Sequence, residues 1–370
     1  MRILLLADLS SYHTERWIKA YQQSDIKVLA VGMEPPKEEK EYYLHIKSEF
    51  RKSPFKYISK LGMVKNIIKE FNPDIIHAHM APNYGLLAML SGFRPYVISL
   101  WGPDVLETPR KSFFHFLTLK KIFMNASLLH VDADIMGWIL ENKFGICRGK
   151  IMNFPHGVTE EFLTPEIKKE IKDELLMVSH RKLEKIYNNE TIIEALGILK
   201  KKGINFRFIF ASGGTLEAEL HTMVHKMGLK DNVEFTGFIP LPQLVEILSK
   251  AHIFVSASLS DSTAVSILEA MATGCVPVVS DIQANREWII NGINGYLFNP
   301  MDAHDLAGKI MNVMENISWF RKAIDMNIQI IQKKANWERN LGKFLEKLEN
   351  LDNISCMPPK KRAKVPWSWL

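Results

Sequence analysis

The chain has 370 residues, a net charge of +6, 24% charged residues and 47% apolar residues. This length suffices for two ordinary domains with apolar cores, and the balance of charged and apolar residues excludes wholesale disorder. No run of about 18 apolar residues occurs, so no membrane-spanning helix is expected. The apolar start MRILLLADLS is too short for a span and lacks a small-residue cleavage site, which predicts a buried first strand and a cytoplasmic protein that could still lie on a membrane.

The predicted elements of the first half alternate between strands and helices. Short apolar runs such as RILLLADL, IKVLAVG, PDIIHAHM, PYVISL and ASLLHV are typical of buried parallel strands, and HTERWIKAYQQ is typical of a crossover helix. At Pro155, Gly157 and Pro165 the alternation stops, which places a linker near residues 158 to 172. We therefore predict an N-terminal, acceptor-binding Rossmann-like domain over residues 1 to 160.

The alternation restarts after the linker. The strand-like runs ELLMVS, FRFIF, VEFTGFI, HIFVSAS and CVPVVSD surround the helical patterns NNETIIEALGILKKKG and LPQLVEILSKA. We predict a second Rossmann-like domain over residues 173 to 350 and a flexible basic tail over residues 351 to 370. The expected fold class is α/β, with two doubly wound domains that face a central cleft and bind ligands beyond the carboxyl ends of their strands.

Two stretches of the first half combine cations with aromatic residues. Between residues 47 and 69, seven Lys or Arg residues accompany one acid, Glu49, and RKSFFHFLTLKKIF from Arg110 repeats the pattern. A basic amphipathic surface of this kind can dock on an anionic membrane surface. A core-facing helix with a solvated basic side explains the same pattern, and both interpretations stay open. No nucleic-acid partner is expected.

The segment DSTAVSILEAMATGCVPVV begins at Asp261 and places a second carboxylate, Glu269, eight residues later. Ser262 or Thr263 is a candidate N-cap for a helix that begins near Ala264. The N–H groups of the first turn and the helix dipole would form an anion site suited to a diphosphate. Glu269 could then accept hydrogen bonds from a diol, and Asp261 from another polyhydroxyl group. On spacing alone, a capped helix with two unrelated acids explains the segment equally well.

This segment resembles the donor-site signature of the retaining glycosyltransferases of the GT-B fold, specifically the large family 4. That family has an acidic pair at this spacing followed by A-M-A-x-G-x-P-V, and Asp261 stands where Glu is more usual. VSHRKLEKIYNNETIIEALGIL is similar to the segment that carries the family's phosphate-binding Arg and Lys. FPHGVTEEFLTP, VEFTGFIP and GINGYLF resemble three further family segments, so the resemblance extends over most of the chain.

The resemblance implies a metal-independent, retaining hexosyltransferase that uses a UDP- or GDP-sugar as donor and needs no cofactor. Arg181 and Lys185 would stabilise the departing diphosphate, with Lys182 as a competitor for the second role. Glu269 would hold the ribose hydroxyls, and Asp261 the hydroxyls of the donor sugar. Backbone contacts to the donor, including the frame around the base, are implied for Gly213, Gly214, Phe238, Ile239, Ser262, Thr263 and Ala264.

The resemblance assigns the acceptor to the N-terminal domain. His13 and Arg16 follow the first strand, and Arg16 would reach an acceptor phosphate unless it is a helix-surface arginine. Trp101 stands where many relatives have a histidine near the reacting sugar, and Asp104 in the same turn is a candidate catalytic residue that orients a hydroxyl. The implied acceptor is a glycan or a lipid-linked glycan in the synthesis of cell-surface polysaccharide or glycolipid.

Three sets of residues are candidate metal ligands, and none has the spacing and position of a metal site. Asp132 and Asp134 have the spacing of metal-dependent glycosyltransferases but follow a strand in the acceptor half, and His77 and His79 lack a third ligand at a suitable spacing. The three cysteines are scattered without metal spacing. We expect no metal. Two other functions stay open: a nucleotide-sugar epimerase of the GT-B fold, and a non-catalytic nucleotide-binding relative, which the tryptophan at position 101 would favour.

Overall fold

The computed structural model describes residues 1–50, 54–163, 167, 169, 171 and 174–351. The chain divides into two compact units, of which the first holds Met1–Asn153 with the residues from Leu341 onward, and the second holds Phe154–Asn340. The predicted linker lies partly outside the described residues, and the predicted basic tail lies outside them except for its first residue.

The first unit is built on a parallel seven-stranded sheet in the order β3-β2-β1-β4-β5-β6-β7. Its strands are β1 (Arg2–Leu6), β2 (Lys27–Gly32), β3 (Tyr43–His45), β4 (Ile75–His79), β5 (Tyr96–Ser99), β6 (Leu128–Val131) and β7 (Ile151–Asn153). Every residue of β4, β5 and β6 is buried, as expected for central parallel strands that helices cover on both faces.

The helices of the first unit connect these strands. They are α1 (Tyr12–Gln23), α2 (Phe55–Ile58), α3 (Leu61–Phe71), α4 (Leu86–Ser91, preceded by a π-helical turn), α5 (Gly102–Leu106), α6 (Phe113–Asn125) and α7 (Asp134–Asn142). The buried faces of α3, α4 and α6 join one apolar cluster, to which Val64, Leu87 and Phe123 belong. These three helices therefore lie on the same side of the first sheet.

The second unit is built on a parallel six-stranded sheet in the order β10-β9-β8-β11-β12-β13. Its strands are β8 (Leu175–Ser179), β9 (Phe206–Phe210), β10 (Val233–Phe235), β11 (Ile253–Ser256), β12 (Val276–Ser280) and β13 (Tyr296–Phe298). Its helices are α8 (Glu160–Leu163), α9 (Asn189–Lys201), α10 (Glu217–Lys226), α11 (Leu241–Lys250), α12 (Val265–Ala272), α13 (Gln283–Arg286), α14 (Ala303–Glu315), α15 (Ile317–Lys334) and the start of α16 (Trp337–Glu349). Two doubly wound parallel units confirm the predicted fold class.

Each sheet has one point where the strand order reverses. In the first sheet, the chain moves outward from β1 to β3 and then resumes beside β1 with β4. In the second sheet, it moves outward from β8 to β10 and resumes beside β8 with β11. Open parallel sheets bind ligands beyond the carboxyl ends of the strands at such a point, so the loops after β1 and β4 and after β8 and β11 are where a site is expected.

Candidate functional site

The loops after β8 and β11 bring together most of the charged residues that the sequence predicts for the donor. The two strands pair in parallel, with Met177 opposite Ile253, so both end at the same edge of the sheet. The amide of Leu259, in the loop after β11, donates to the carbonyl of Ile186, in the segment after β8, at 2.9 Å. This bond ties the segment that holds the predicted cations to the loop that leads into α12.

Arg181 is the central cation of this site and is buried. Its Nη1 donates to the hydroxyl of Ser266 at 2.9 Å, and its Nη2 forms an ion pair with the carboxylate of Asp261. Its guanidinium lies 4.2 Å from the centroid of the Tyr187 ring. Arginine in such a stacked and bonded setting is held in one orientation, which is the condition for recognising a fixed anion.

Asp261 therefore contacts the predicted phosphate-binding arginine directly, a pairing that the sequence does not predict. Its Oδ1 also accepts a hydrogen bond from the amide of Ser262 at 3.0 Å. Burial raises the pKa of the Asp261 carboxyl above its ordinary value, although the guanidinium of Arg181 and the Ser262 amide both act against this rise. A phosphate that approaches Arg181 would compete with this carboxylate.

Glu269 lies in α12 and is paired with a residue that the sequence analysis does not single out. Its Oε2 lies 2.8 Å from Nε2 of His180, the residue that directly follows β8. The His180 ring also packs 5.2 Å from the ring of Phe254 in β11. The only sequence signal for this contact is the position of His180 between a buried strand and the predicted phosphate-binding Arg181, since carboxyl-terminal strand ends form ligand sites.

The start of α12 differs from the predicted capping arrangement. The N-cap is Ala264, no side chain caps the helix, and the first helical residue is Val265, so the prediction that Ser262 or Thr263 caps it is wrong. The Thr263 hydroxyl instead accepts a hydrogen bond from Nε1 of Trp288 at 3.4 Å. The first amides of any helix lack acceptors within it, so the amides at the start of α12 remain available by geometry for an anion.

The double glycine packs against the cation-bearing segment. A Cβ on Gly214 would lie 2.4 Å from the carbonyl oxygen of Leu183, so the close approach of two backbones excludes any larger residue there. A Cβ on Gly213 would lie 3.1 Å from the ring of Phe238, whose side chain is 73% exposed. Ile239 instead packs against an apolar cluster. The predicted base-framing residues thus flank the same segment, with only the Phe238 ring open to solvent.

Lys185 and Lys182, the two candidates for the second cation, are both exposed. Lys185 begins a 3-10 turn that ends at Tyr187, the residue whose ring stacks on Arg181. Its ammonium has no hydrogen bond or ion pair to any described residue. Lys185 is therefore linked to the arginine through a turn that ends at the stacked Tyr187, and its exposed side chain is accessible to an anion.

The predicted acceptor residues lie around the strand-order reversal of the first sheet. The His13 ring, on α1, contacts the Trp101 ring edge to face at 5.0 Å. Arg16 is buried, so the alternative that it is a helix-surface arginine is wrong. Asp104 is fully buried, and its Oδ2 accepts hydrogen bonds from the amides of Trp101 at 3.0 Å and Ala81 at 3.3 Å. Burial raises the Asp104 pKa to about 7, although these two amides oppose the rise.

The paired histidines of β4 belong to a buried polar network. Nδ1 of His77 lies 2.6 Å from the Tyr21 hydroxyl, its Nε2 lies 2.8 Å from the Ser99 hydroxyl, and Ser99 in turn lies 2.9 Å from Nδ1 of His130. Burial lowers the pKa of His77 well below its ordinary value and lowers that of His79 to about 3. Across the described part of the chain, no three His, Cys, Asp or Glu residues converge as a metal site.

Two family models match this chain. Residues 161–329 match the glycosyl transferases group 1, and residues 2–133 match the glycosyl transferase 4-like family. The chain is 27% identical over 301 residues to EpsD of Bacillus subtilis, a protein named as a glycosyltransferase, and this match covers 74% of the chain and 76% of EpsD. It is 28% identical over 165 residues to the amylovoran biosynthesis glycosyltransferase AmsK of Erwinia amylovora, covering 43% of the chain and 40% of AmsK.

Solved structures share the fold. Sucrose-phosphate synthase from Thermosynechococcus elongatus superposes with a TM-score of 0.79 at 16% identity, covering 96% of this chain and 100% of that one. Anabaena HepE in complex with UDP and glucose superposes with a TM-score of 0.76 at 16% identity, covering 95% of this chain and 100% of that one. No described helix is both long enough and apolar enough to cross a bilayer.

Proposed function

The chain belongs to the group 1 glycosyltransferases, and on that premise we propose that its second unit binds a UDP- or GDP-sugar and transfers the hexosyl group with retention of configuration. The observation that carries the proposal is the buried guanidinium of Arg181, held between Ser266 and Asp261 at the strand-order reversal of the second sheet. Supporting it, the HepE structure of similar fold contains UDP and glucose.

Arg181 would stabilise the negative charge that develops on the departing diphosphate. Its Nη1 and Nη2 are engaged, whereas its buried Nε has no partner among the described residues and is a donor available to a phosphate oxygen. A cation held in place before the reaction stabilises the transition state without a cost of reorganisation. Lys185, exposed beside it, would add a second point charge.

Glu269 would bind the ribose, because only one of its two carboxylate oxygens is engaged by His180. The other oxygen has no partner among the described residues and can accept a hydrogen bond from a hydroxyl. Asp261 would bind the donor sugar once the diphosphate competes with it for Arg181. In this role the carboxylate moves from neutralising the cation to accepting hydrogen bonds from sugar hydroxyls.

The chemical step that we propose needs no metal ion. The bond between C1 of the sugar and the diphosphate oxygen breaks, while the acceptor oxygen bonds to C1 from the same face. The acceptor proton passes to the departing diphosphate oxygen, so the step leaves a nucleoside diphosphate and a glycoside of unchanged anomeric configuration. The positive charge of Arg181 assists the leaving group in place of a metal.

We place the acceptor on the first unit, where His13, Trp101 and Asp104 surround the strand-order reversal. The acceptor would be a hydroxyl of a glycan or lipid-linked glycan in cell-surface polysaccharide or glycolipid synthesis, which the name of AmsK supports. A cytoplasmic location is part of the same proposal. Fractionating cells that express the chain tests that location directly.

A thermal-shift screen of UDP- and GDP-sugars tests the donor proposal. A nucleotide present at about 100 times its Kd stabilises the folded protein by about 2.7 kcal/mol, so one nucleotide class should raise the melting temperature. The Glu269→Gln variant should lose most of this shift, whereas Glu234→Gln, which alters an exposed carboxylate paired with Arg207, should keep it. No shift with any nucleotide sugar would contradict the proposal.

Transfer assays with the identified donor test the remaining parts. Activity should persist in EDTA, and NMR of the product should show the anomeric configuration of the donor. An inverted product would refute retention, and loss of activity in EDTA that added divalent cation restores would refute the metal-independent step. Epimerised sugar formed without any acceptor would instead indicate an epimerase.

A further inference from the structure

We propose that one face of α6 docks on an anionic lipid bilayer. This surface, named the α6 face, consists of residues of the helix and of two residues just before it, all of which are exposed. They are Phe113, Phe114, Leu117 and Lys121 on α6, and Arg110 and Lys111 before it. Phe114 is 78% exposed and Phe113 is 71% exposed. Among the large apolar residues of the described chain, Phe238, at 73%, is the only other one above 70%. The inference concerns the first unit alone and does not depend on the donor site.

The helix is apolar on two opposite sides although it lies at the surface. Leu119, Ile122 and Phe123 face the core of the first unit and are buried. Phe113, Phe114 and Leu117 project away from that core into solvent. A surface helix ordinarily presents polar residues on its outer side, so an apolar outer side marks a surface that a partner or a membrane covers.

The charge of the α6 face identifies the partner. Residues 108 to 125 contain Arg110, Lys111, Lys120 and Lys121 and no acidic residue. Aromatic side chains that enter the boundary between head groups and acyl chains, with cations beside them, fit an anionic lipid surface. A second copy of this chain fits poorly, because a twofold interface would place the same cations against each other.

The second basic stretch lies on the same side of the sheet. Phe55 is 65% exposed and Met63 is 51% exposed, on α2 and α3, and Lys65 and Lys69 on α3 are exposed as well. The buried faces of α3, α4 and α6 share one apolar cluster, so these helices form one layer. This layer offers a second set of basic and apolar residues to the same bilayer.

Co-sedimentation of the full chain with vesicles tests the proposal. We expect binding to vesicles of phosphatidylcholine with about one third phosphatidylglycerol, and little binding to phosphatidylcholine alone. Raising the salt concentration should weaken binding, because ions screen the contribution of the cations. The Arg110→Gln/Lys111→Gln variant should bind at least about tenfold more weakly, as each cation near an anionic surface contributes several-fold to the affinity.

The apolar contribution is tested separately with Phe113→Ser/Phe114→Ser, which keeps every charge and should also lower binding about tenfold or more. Met301→Ser is the matched control, because Met301 is 69% exposed in the second unit and should not contribute. The melting temperature of each variant, measured without ligand, reports whether the protein is folded.

Three outcomes would overturn the proposal. Absence of binding to anionic vesicles at low salt would exclude lipid docking, as would equal binding by the wild type and both α6 variants. A concentration-dependent dimer that Phe113→Ser/Phe114→Ser disrupts would assign the α6 face to a second copy of the chain.

Discussion

The two strand-order reversals have the same topology, but the ionisable groups around them differ in how they are paired. At the second sheet, ionisable side chains meet in pairs, Arg181 with Asp261 and His180 with Glu269. At the first sheet, the buried groups include histidines, aromatic rings, Arg16, Asp132 and Asp104, whose pKa burial raises to about 7. Burial raises the pKa of both Asp104 and Asp261, but only backbone amides oppose the rise at Asp104, whereas the guanidinium of Arg181 also opposes it at Asp261.

On the proposed function, this difference would let one architecture serve two kinds of ligand. A site that keeps a cation and carboxylates in close pairs can exchange one partner for a charged ligand, because the incoming anion replaces an existing ion pair. A site lined by histidine and tryptophan rings, such as His13 and Trp101, suits the hydroxyl groups of a glycan. Variants at each reversal test this difference, and they are given below in order of decreasing expected effect.

Replacing the central cation should have the largest effect. Arg181→Ala should lower kcat/KM for hexosyl transfer at least about 100-fold, because no other buried cation lies beside Asp261 among the described residues. Arg207→Ala is the matched control, since Arg207 is exposed and forms its ion pair with Glu234 at the far edge of the same sheet. Wild-type transfer rates in Arg181→Ala would show that the ion pair at the second strand-order reversal plays no part in hexosyl transfer.

Removing the partner of Glu269 should have an intermediate effect. His180→Ala should raise KM for the nucleotide sugar about tenfold with a smaller change in kcat, since a hydrogen bond to a charged group contributes about 1.5 kcal/mol or more. Gln in place of His180 can still donate to the carboxylate and should restore part of the affinity. Because both residues act together, His180→Ala should add little to Glu269→Gln; additive effects would contradict a positioning role.

The buried carboxyl of the first unit predicts a pH dependence of stability. The pKa of Asp104 is raised to about 7 in the folded protein, so its protonated form stabilises the fold at low pH. That contribution is complete below the ordinary Asp pKa and is lost as the pH rises through about 7, at a slope of up to about 1.4 kcal/mol per pH unit.

Asp104→Asn removes this titration while retaining an oxygen for the two amides. Its melting temperature should rise relative to the wild type as the pH increases from about 4 to 8. Glu107→Gln, which changes an exposed carboxylate nearby, should follow the wild type throughout. Parallel melting curves for Asp104→Asn and the wild type would show that Asp104 does not titrate in this range.

The polar network around His77 should have the smallest effect. Tyr21→Phe removes the hydroxyl that lies 2.6 Å from Nδ1 of His77 and should lower the free energy of unfolding by about 1 kcal/mol. Binding of the nucleotide sugar identified in the thermal-shift screen should not change, as measured by its thermal shift. A large loss of that binding would show that the two reversals are energetically coupled.

The sequence predicts most of the central strands and the edge strand β10, but not the edge strands β3, β7 and β13. The apolar runs that became β4, β5 and β6 are long enough to show the pattern of buried parallel strands. β3, β7 and β13 have three residues each and lie at the edges or ends of their sheets, so their apolar pattern is too short to identify. Their strand conformation depends on pairing with β2, β6 and β12.

The alternation of two α/β units could be predicted from the sequence, because it follows from local periodicity. The assignment of Asp261 and Glu269 to a nucleotide-sugar site came from the resemblance to the family 4 glycosyltransferases, since their spacing alone also fits two unrelated acids. Only the tertiary structure decided that Arg181 pairs with Asp261 and that His180 pairs with Glu269, residues 80 and 89 positions apart. It also placed Ala264, not a hydroxyl residue, at the N-cap of α12. The physical reason is that strand order brings β8 beside β11, and this order is set by packing across the whole sheet.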